Sequence, residues 1–272
     1  MVTINPRWVD VDFPSEQPYH YGWDAGNDLL KDYNSVINYE DVVQVYPESE
    51  WKDRIKVIEE KKSGIENLVT RIYNQSNEGS CVANACAQAH EIIQARQWGK
   101  NRVTHLSAMS LYQLIGSGPN SGAMISDGLE EGLNYGILPL DDEENRKLFG
   151  SNVMPNTGWR TKRPEGTKET AKQFQFNERY IIRSLNELVT AGINGDPVVV
   201  GRAGHSICYL RPTYQGSTLL YMYVNSWLNW GQAFAGLPHG LGFDSGRNLR
   251  SASQWCFAIR TVKEPDHLAL AL

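Results

Sequence analysis

A glutamine, Gln75, stands six residues before a cysteine, Cys81, with Gly79 and Ser80 between them as a tight turn and a helix-like run behind. A cysteine at a helix start lies at the positive end of the helix dipole, which lowers the thiol pKa and favours the nucleophilic thiolate. The Gln75 side chain and the Cys81 N–H are placed to hold a developing oxyanion together. Far downstream come Gly204-His205-Ser206 and Asn225-Ser226-Trp227-Leu228-Asn229-Trp230-Gly231. A thiol needs a base, and the base needs a group that fixes its tautomer. His205 is the candidate base and Asn225 the acceptor of its ring N–H, with Trp227 shielding that bond from water. Each residue also has a plainer reading: a buried cysteine as a small hydrophobe, a structural histidine, a strand-end asparagine, a loop glutamine. Their joint order favours the chemical reading.

In that order the chain resembles the papain-like cysteine peptidases. The Gln-x5-Cys spacing, a histidine at a strand start and Asn-Ser-Trp-x-x-Trp-Gly twenty residues later all match the family. The Gly-Ser-Cys-x-Ala-Asn version, Gly79 to Asn84, is nearer to its bacterial and viral members. Leu106–Tyr112, then Ser121–Leu129 and Asn134–Pro139, resemble the family's second helix, glycine turn and third helix. The likeness spans about residues 68 to 260. It implies Cys81 as nucleophile, His205 as proton shuttle, Asn225 as orienting residue, and Gln75 with the Cys81 N–H as oxyanion holder. Trp227, Gly79 and Ser80 support them, and no cofactor is implied. The sequence departs from the family at Val82 and Leu228. Only seven residues separate Pro197 from His205, where relatives place a longer excursion that walls the cleft.

The elements that must position these residues follow from periodicity. Val82, Ala85, Cys86, Ala89, Ile92 and Ile93 recur at three-and-four spacing, so residues 82–97 form a helix with Cys81 at its start. Residues 106–115 and 127–135 are further helices, with Gly136 as a stop. Arg183–Ile193 forms a helix ending at Gly195. Strands follow at Pro197–Gly201, Ser206–Arg211, Leu219–Asn225 and Cys256–Val262. Helices first and strands later is the pattern of an α+β protein. The expected fold is two-lobed and papain-like, with a helical lobe first (about 68–140), a polar loop (141–177), and an antiparallel β-sheet or barrel lobe second (about 178–262).

At 272 residues the chain is long enough for one large domain or two lobes with sizeable cores. No apolar run is long enough to span a membrane. Four cysteines, Cys81, Cys86, Cys208 and Cys256, do not make a disulfide scaffold, and the last three read as packing. Glu78 stands where many secreted members carry a disulfide cysteine, and Met1–Arg7 is not a signal peptide. A reducing location is expected, cytoplasmic or virion-associated. No His-Glu-x-x-His or paired Cys-x-x-Cys pattern suggests a metal, and no basic stripe suggests nucleic acid.

Residues 1–50 hold ten Asp/Glu against two Lys/Arg, a net −8, leaving about +3 for the remainder of a chain of net −5. This acidic arm is aromatic-rich (Trp8, Phe13, Tyr19, Tyr21, Trp23) and reads as an extended segment with one short helix near Ala25–Tyr33. Such composition docks on something rather than staying disordered. An arm without long amphipathic helices is expected to run away from the groove and serve assembly, together with the C-terminal tail at residues 263–272, apolar over Leu268–Leu272. The leading expectation is a cysteine endopeptidase acting on peptide or protein substrates. A second is a phage-type, virion-associated structural or assembly protein on the same fold, contacting other chains through the arm and tail. A third is another Cys-His hydrolase, such as a peptidoglycan amidase or endopeptidase.

Overall fold

The computed structural model describes residues 2–13, 22–28, 31, 33–118, 121–140, 145, 162–163, 165–253 and 256–266. Most of the polar loop, Tyr19, Tyr21 and the tail beyond residue 266 lie outside the described residues. The helices are α1 (Ala25–Asp28), α2 (Glu48–Lys61), α3 (Cys81–Trp98), α4 (Ala108–Ile115), α5 (Ile125–Asn134), α6 (Thr167–Ala171), α7 (Leu185–Asn194) and α8 (Gly246–Ala252). The strands are β1 (Tyr180–Ile182), β2 (Val198–Arg202), β3 (His205–Gln215), β4 (Thr218–Val224), β5 (Gln232–Phe234), β6 (Leu237–Ser245) and β7 (Cys256–Ala258). The architecture is α+β and two-lobed, with helices before a single antiparallel sheet of order β1-β7-β2-β3-β4-β6-β5.

Helix α3 is the spine. Every residue from Cys81 to Ala95 is buried; its polar members are covered too, Glu91 by Arg71, Tyr73 and the Leu106 N–H and Gln94 by the Thr104 N–H. Gly99, at φ 89°, ends it. Helix α4 starts at Ser107, whose hydroxyl accepts the Ser110 N–H. At α7 the Ser184 hydroxyl accepts the Glu187 N–H, while the Glu187 carboxylate accepts from the Ser184 hydroxyl and, at 3.3 Å, the Arg183 N–H. This reciprocal cap fixes the start of α7. Gly195, left-handed at φ 74°, ends it.

Alternation in β3 and β4 sends side chains to two cores. Cys208, Leu210, Leu220, Met222 and Val224 face α3, α4 and α5. Ile207, Tyr209, Tyr221 and Tyr223 face a second cluster that includes Trp227, Trp230 and Phe13. Between β2 and β3 lies a two-residue turn, Ala203 and Gly204, both at positive φ (50° and 78°). That pair of left-handed residues is what a tight hairpin of this class requires. It explains the short Pro197–His205 interval: five residues of strand and two of turn deliver His205 directly to the start of β3, paired with Arg202.

The structure adds elements that periodicity did not reveal. Helix α2 straddles the expected arm boundary at residue 50, and β5, β6 and α8 lie between the Asn-Ser-Trp motif and β7. The expected Cys256–Val262 strand is three residues long, and Val262 makes only an isolated bridge to Phe176.

Candidate active site

Cys81 is the first residue of α3 and is fully buried. The Ser206 backbone, next to His205, is among the groups beside its sulfur that favour the thiolate, so the start of β3 lies near the start of α3. The His205 ring donates its Nε2–H to Asn225 Oδ1 at 2.8 Å. Asn225 Oδ1 also accepts the Ser226 N–H at 2.7 Å, so the amide oxygen is held toward both donors. With the proton on Nε2, Nδ1 carries the basic lone pair. Trp227 lies parallel over the imidazole, ring centroids 4.3 Å apart and planes 23° apart.

Gln75 is tied to the same turn from the other lobe. Its N–H donates to the Ser226 carbonyl at 2.8 Å, and its Oε1 accepts the Ser226 hydroxyl at 2.6 Å. Its Nε2 donates to the Glu78 carbonyl at 2.9 Å, inside the loop that carries Gly79 and Ser80. The structure therefore gathers two groups, Cys81 with Ser206, and His205 with Asn225, Trp227 and Gln75, across the lobe boundary.

Electrostatics correct one expectation. The helix start is where Cys81 sits, yet its thiol is pushed up to about 12, because burial outweighs the backbone N–H groups of Ser206, Gly22 and Val82 that favour the thiolate. His205 is pushed down to about 4, chiefly by burial and slightly by Arg202, against the pull of Asn225. Both groups are neutral at pH 7.

What buries them is the arm, and its path overturns the expectation that it avoids the groove. Ala123 donates its N–H to the Gly22 carbonyl (2.7 Å), Asp24 donates to the Ala123 carbonyl (3.0 Å), and Trp23 donates to the Gly204 carbonyl (2.9 Å). Residues 22–24 thus run between the helical lobe and the hairpin tip, with Trp23 in a parallel bridge to Ala123 and the Gly22 backbone beside the Cys81 sulfur. Gly22 packs so closely that an added Cβ would stand 2.1 Å from the Gly79 carbonyl oxygen. On the far side of the imidazole, Phe13 is edge-on to His205 (4.9 Å) and Trp227 (5.3 Å). Arg202 clamps that end, lying 4.5 Å over the Phe13 ring and donating to the Val11 carbonyl at 2.9 Å. Trp8 packs on Trp230, 5.1 Å between centroids.

Three positions had no role in the sequence reading: the peptide groups of Ala123 and Gly204, and the bare Cα of Gly201. Backbone groups carry no side-chain signal, although the Gly122-Ala123 turn was within reach. Cys86, Cys208 and Cys256 are buried and free, with thiols raised by desolvation, as packing residues should be. Val82 is core, facing Gly128 of α5, whereas Leu228 is 54% exposed at the site's rim.

Solved structures with the same fold include xylellain, a cysteine protease from Xylella fastidiosa, at 17% identity and TM-score 0.58, covering 93% of this chain and 100% of that one. Procathepsin B S9 from Trypanosoma congolense aligns at 12% identity and TM-score 0.56, over 90% of this chain and 86% of that one. Digestive procathepsin L 3 from the Tenebrio molitor larval midgut aligns at 14% and 0.54, over 74% and 68%. No family model and no curated protein sequence matches. The fold is that of papain-like cysteine proteases.

Proposed function

We propose that this chain is a cysteine peptidase whose own N-terminal arm holds it latent. One observation carries the reading: the imidazole hydrogen-bonded to Asn225 and covered by Trp227 stands at a strand start whose next residue, Ser206, has its backbone beside the Cys81 sulfur. In the open enzyme Cys81 attacks the carbonyl carbon of a peptide as His205 takes the thiol proton. The tetrahedral oxyanion is held by the Cys81 N–H and the Gln75 side-chain amide. His205 then gives its proton to the leaving amine, and water releases the acyl group by the reverse sequence. Residues 22–24 occupy the backbone groups along which a substrate would lie, so turnover begins only once the arm has left.

The test is labelling by an epoxide-type thiol inhibitor in the native chain, Cys81→Ala and Gly22→Ala. A methyl group at position 22 has only the Gly79 backbone to meet, so that substitution should lift the arm. Labelling of Gly22→Ala at Cys81 should be at least about tenfold faster than in the native chain, at the scale of 1.4 kcal/mol per factor of ten. Peptide hydrolysis should appear with it and be absent in Cys81→Ala. A Gly22→Ala chain whose arm is freely clipped by a second protease, yet which neither labels nor hydrolyses, would sink the proposal.

A further inference from the structure

Helix α3 carries a polar side chain on the same face as Cys81. Gln88 lies seven residues, two helical turns, further along the helix. It is buried, and neither end of its amide has a hydrogen-bond partner among the described residues. The same holds for two groups from the β lobe: the hydroxyl of Ser206, next to His205, and Nδ2 of Asn225. All three residues line one small cavity of about 10 Å³. Asn84, on the same wall, is already satisfied, donating from Nδ2 to the Ser80 carbonyl at 2.9 Å and to the Ser80 hydroxyl at 3.0 Å. Buried polar groups need partners, and a polar cavity of about 10–15 Å³ has room for one water.

We infer that this cavity is a site for a single bound water, and that Gln88, acting through that water, is a positioning residue for His205. The water accepts the Asn225 Nδ2–H and donates to the Gln88 side-chain carbonyl and the Ser206 hydroxyl, about three hydrogen bonds being usual for a buried water. Asn225 Oδ1 already accepts from His205 and Ser226, at 2.8 and 2.7 Å. An acceptor at Nδ2 fixes the other end of the amide, so it cannot turn its NH2 toward the imidazole. Gln88 thereby steadies the ring without touching it. The positioning role rests on the peptidase reading; the water site does not.

Crystallography of the full native chain tests the site directly. An ordered water bonded to all three groups is expected; a dry cavity, or a Gln88 amide bonded straight to Asn225, would overturn it. Gln88→Leu offers no acceptor and should expel the water, and a water retained there would remove Gln88 from the account. Kinetics tests the positioning. In the Gly22→Ala chain, Gln88→Leu should lower kcat for peptide hydrolysis at least about tenfold and leave KM unchanged, because only the reacting geometry is disturbed. Gln88→Glu keeps the shape and the accepting oxygen, so it should restore most of the rate. Native kcat in Gln88→Leu, or equal loss in both variants, would overturn the positioning role. Should Gln88→Leu fail to fold, Gln88→Met carries the same expectations. A Gly22→Ala chain that hydrolyses nothing counts against the peptidase instead. In that case the ring ¹⁵N shifts of His205, which report its Nε2 hydrogen bond, should still differ between the native chain and Gln88→Leu, and identical shifts would overturn the positioning.

Discussion

His205 donates an Nε2–H hydrogen bond to an amide oxygen that is not protonated at ordinary pH, so in the proposed peptidase Asn225 orients the ring and takes no part in proton transfer. That division gives unequal expected losses. In a Gly22→Ala background, His205→Ala should abolish hydrolysis, while Asn225→Ala should leave a measurable remainder, since general acid–base catalysis is worth about 10²–10⁴-fold and orientation only part of it. Equal, complete loss in both well-folded variants would contradict these roles. The pH dependence of Cys81 alkylation should report the arm as well. Burial disfavours the charged form of both partners, raising the thiol to about 12 and lowering the imidazole to about 4. Lifting the arm readmits water, so the alkylation midpoint should move down from the native position. A midpoint unchanged in Gly22→Ala would show that the arm is not what discharges the pair.

At the scale of elements, the arm completes a helix it does not belong to. Helix α5 begins after Met124, whose side chain supplies no cap. The buried Asp28 carboxylate of α1 accepts the Ile125 N–H at 2.8 Å and the Ser126 hydroxyl at 2.7 Å instead. Tyr33 donates to the same group at 2.6 Å. Removing this cap leaves buried donors without their acceptor, a loss of about 1–2 kcal/mol. Asp28→Ala should therefore hasten proteolytic clipping of the arm while leaving the body folded, checked by limited proteolysis alongside thermal unfolding. Clipping at the native rate would exclude Asp28 as an anchor.

How much of this was legible follows from what each element is made of. Helix α3 and the hairpin strands of Val, Ile, Tyr and Leu repeat with clear periods, and Cys81 and His205 stand at the first positions of α3 and β3. Strand β6, Leu237-Pro238-His239-Gly240-Leu241-Gly242, has two glycines and a proline where alternation should show, so no period marked it. The arm's path was hidden for a different reason. Gly22, Ala123 and Gly204 meet through peptide groups, which every residue has, and the close approach needs only missing side chains. Aromatic content told that the arm docks; nothing in its residues told where.

At the scale of the whole molecule, two buried neutral histidines link folding to pH. His90, inside α3, and His205 are both lowered to about 4 by burial, from an ordinary value of 6.5. The unfolded chain takes up these protons first, so their contribution is full above about pH 6.5 and is lost as pH falls toward 4. Each adds a slope of about 1.4 kcal/mol per pH unit within that window. Urea unfolding at pH 7 and pH 5 should show the fall, and His90→Gln should flatten it by roughly half. Because Asp244, raised to about 6, opposes the trend, the His90 share is the difference between the chains, and a fall of equal size in His90→Gln would mean that His90 is not buried uncharged.

The seating of Gly22 against Gly79 has a chemical consequence for the life of the protein before it works. Peroxide and other oxidants attack thiolates, and a fully enclosed thiol raised to about 12 presents almost none at neutral pH. The closed chain thus stores its sulfur in the reduced state, behind two glycines with no room between them. In the proposed peptidase, damage by oxidation and catalysis would both start when that contact parts, so the interval in which the sulfur is vulnerable would coincide with the interval in which it is useful.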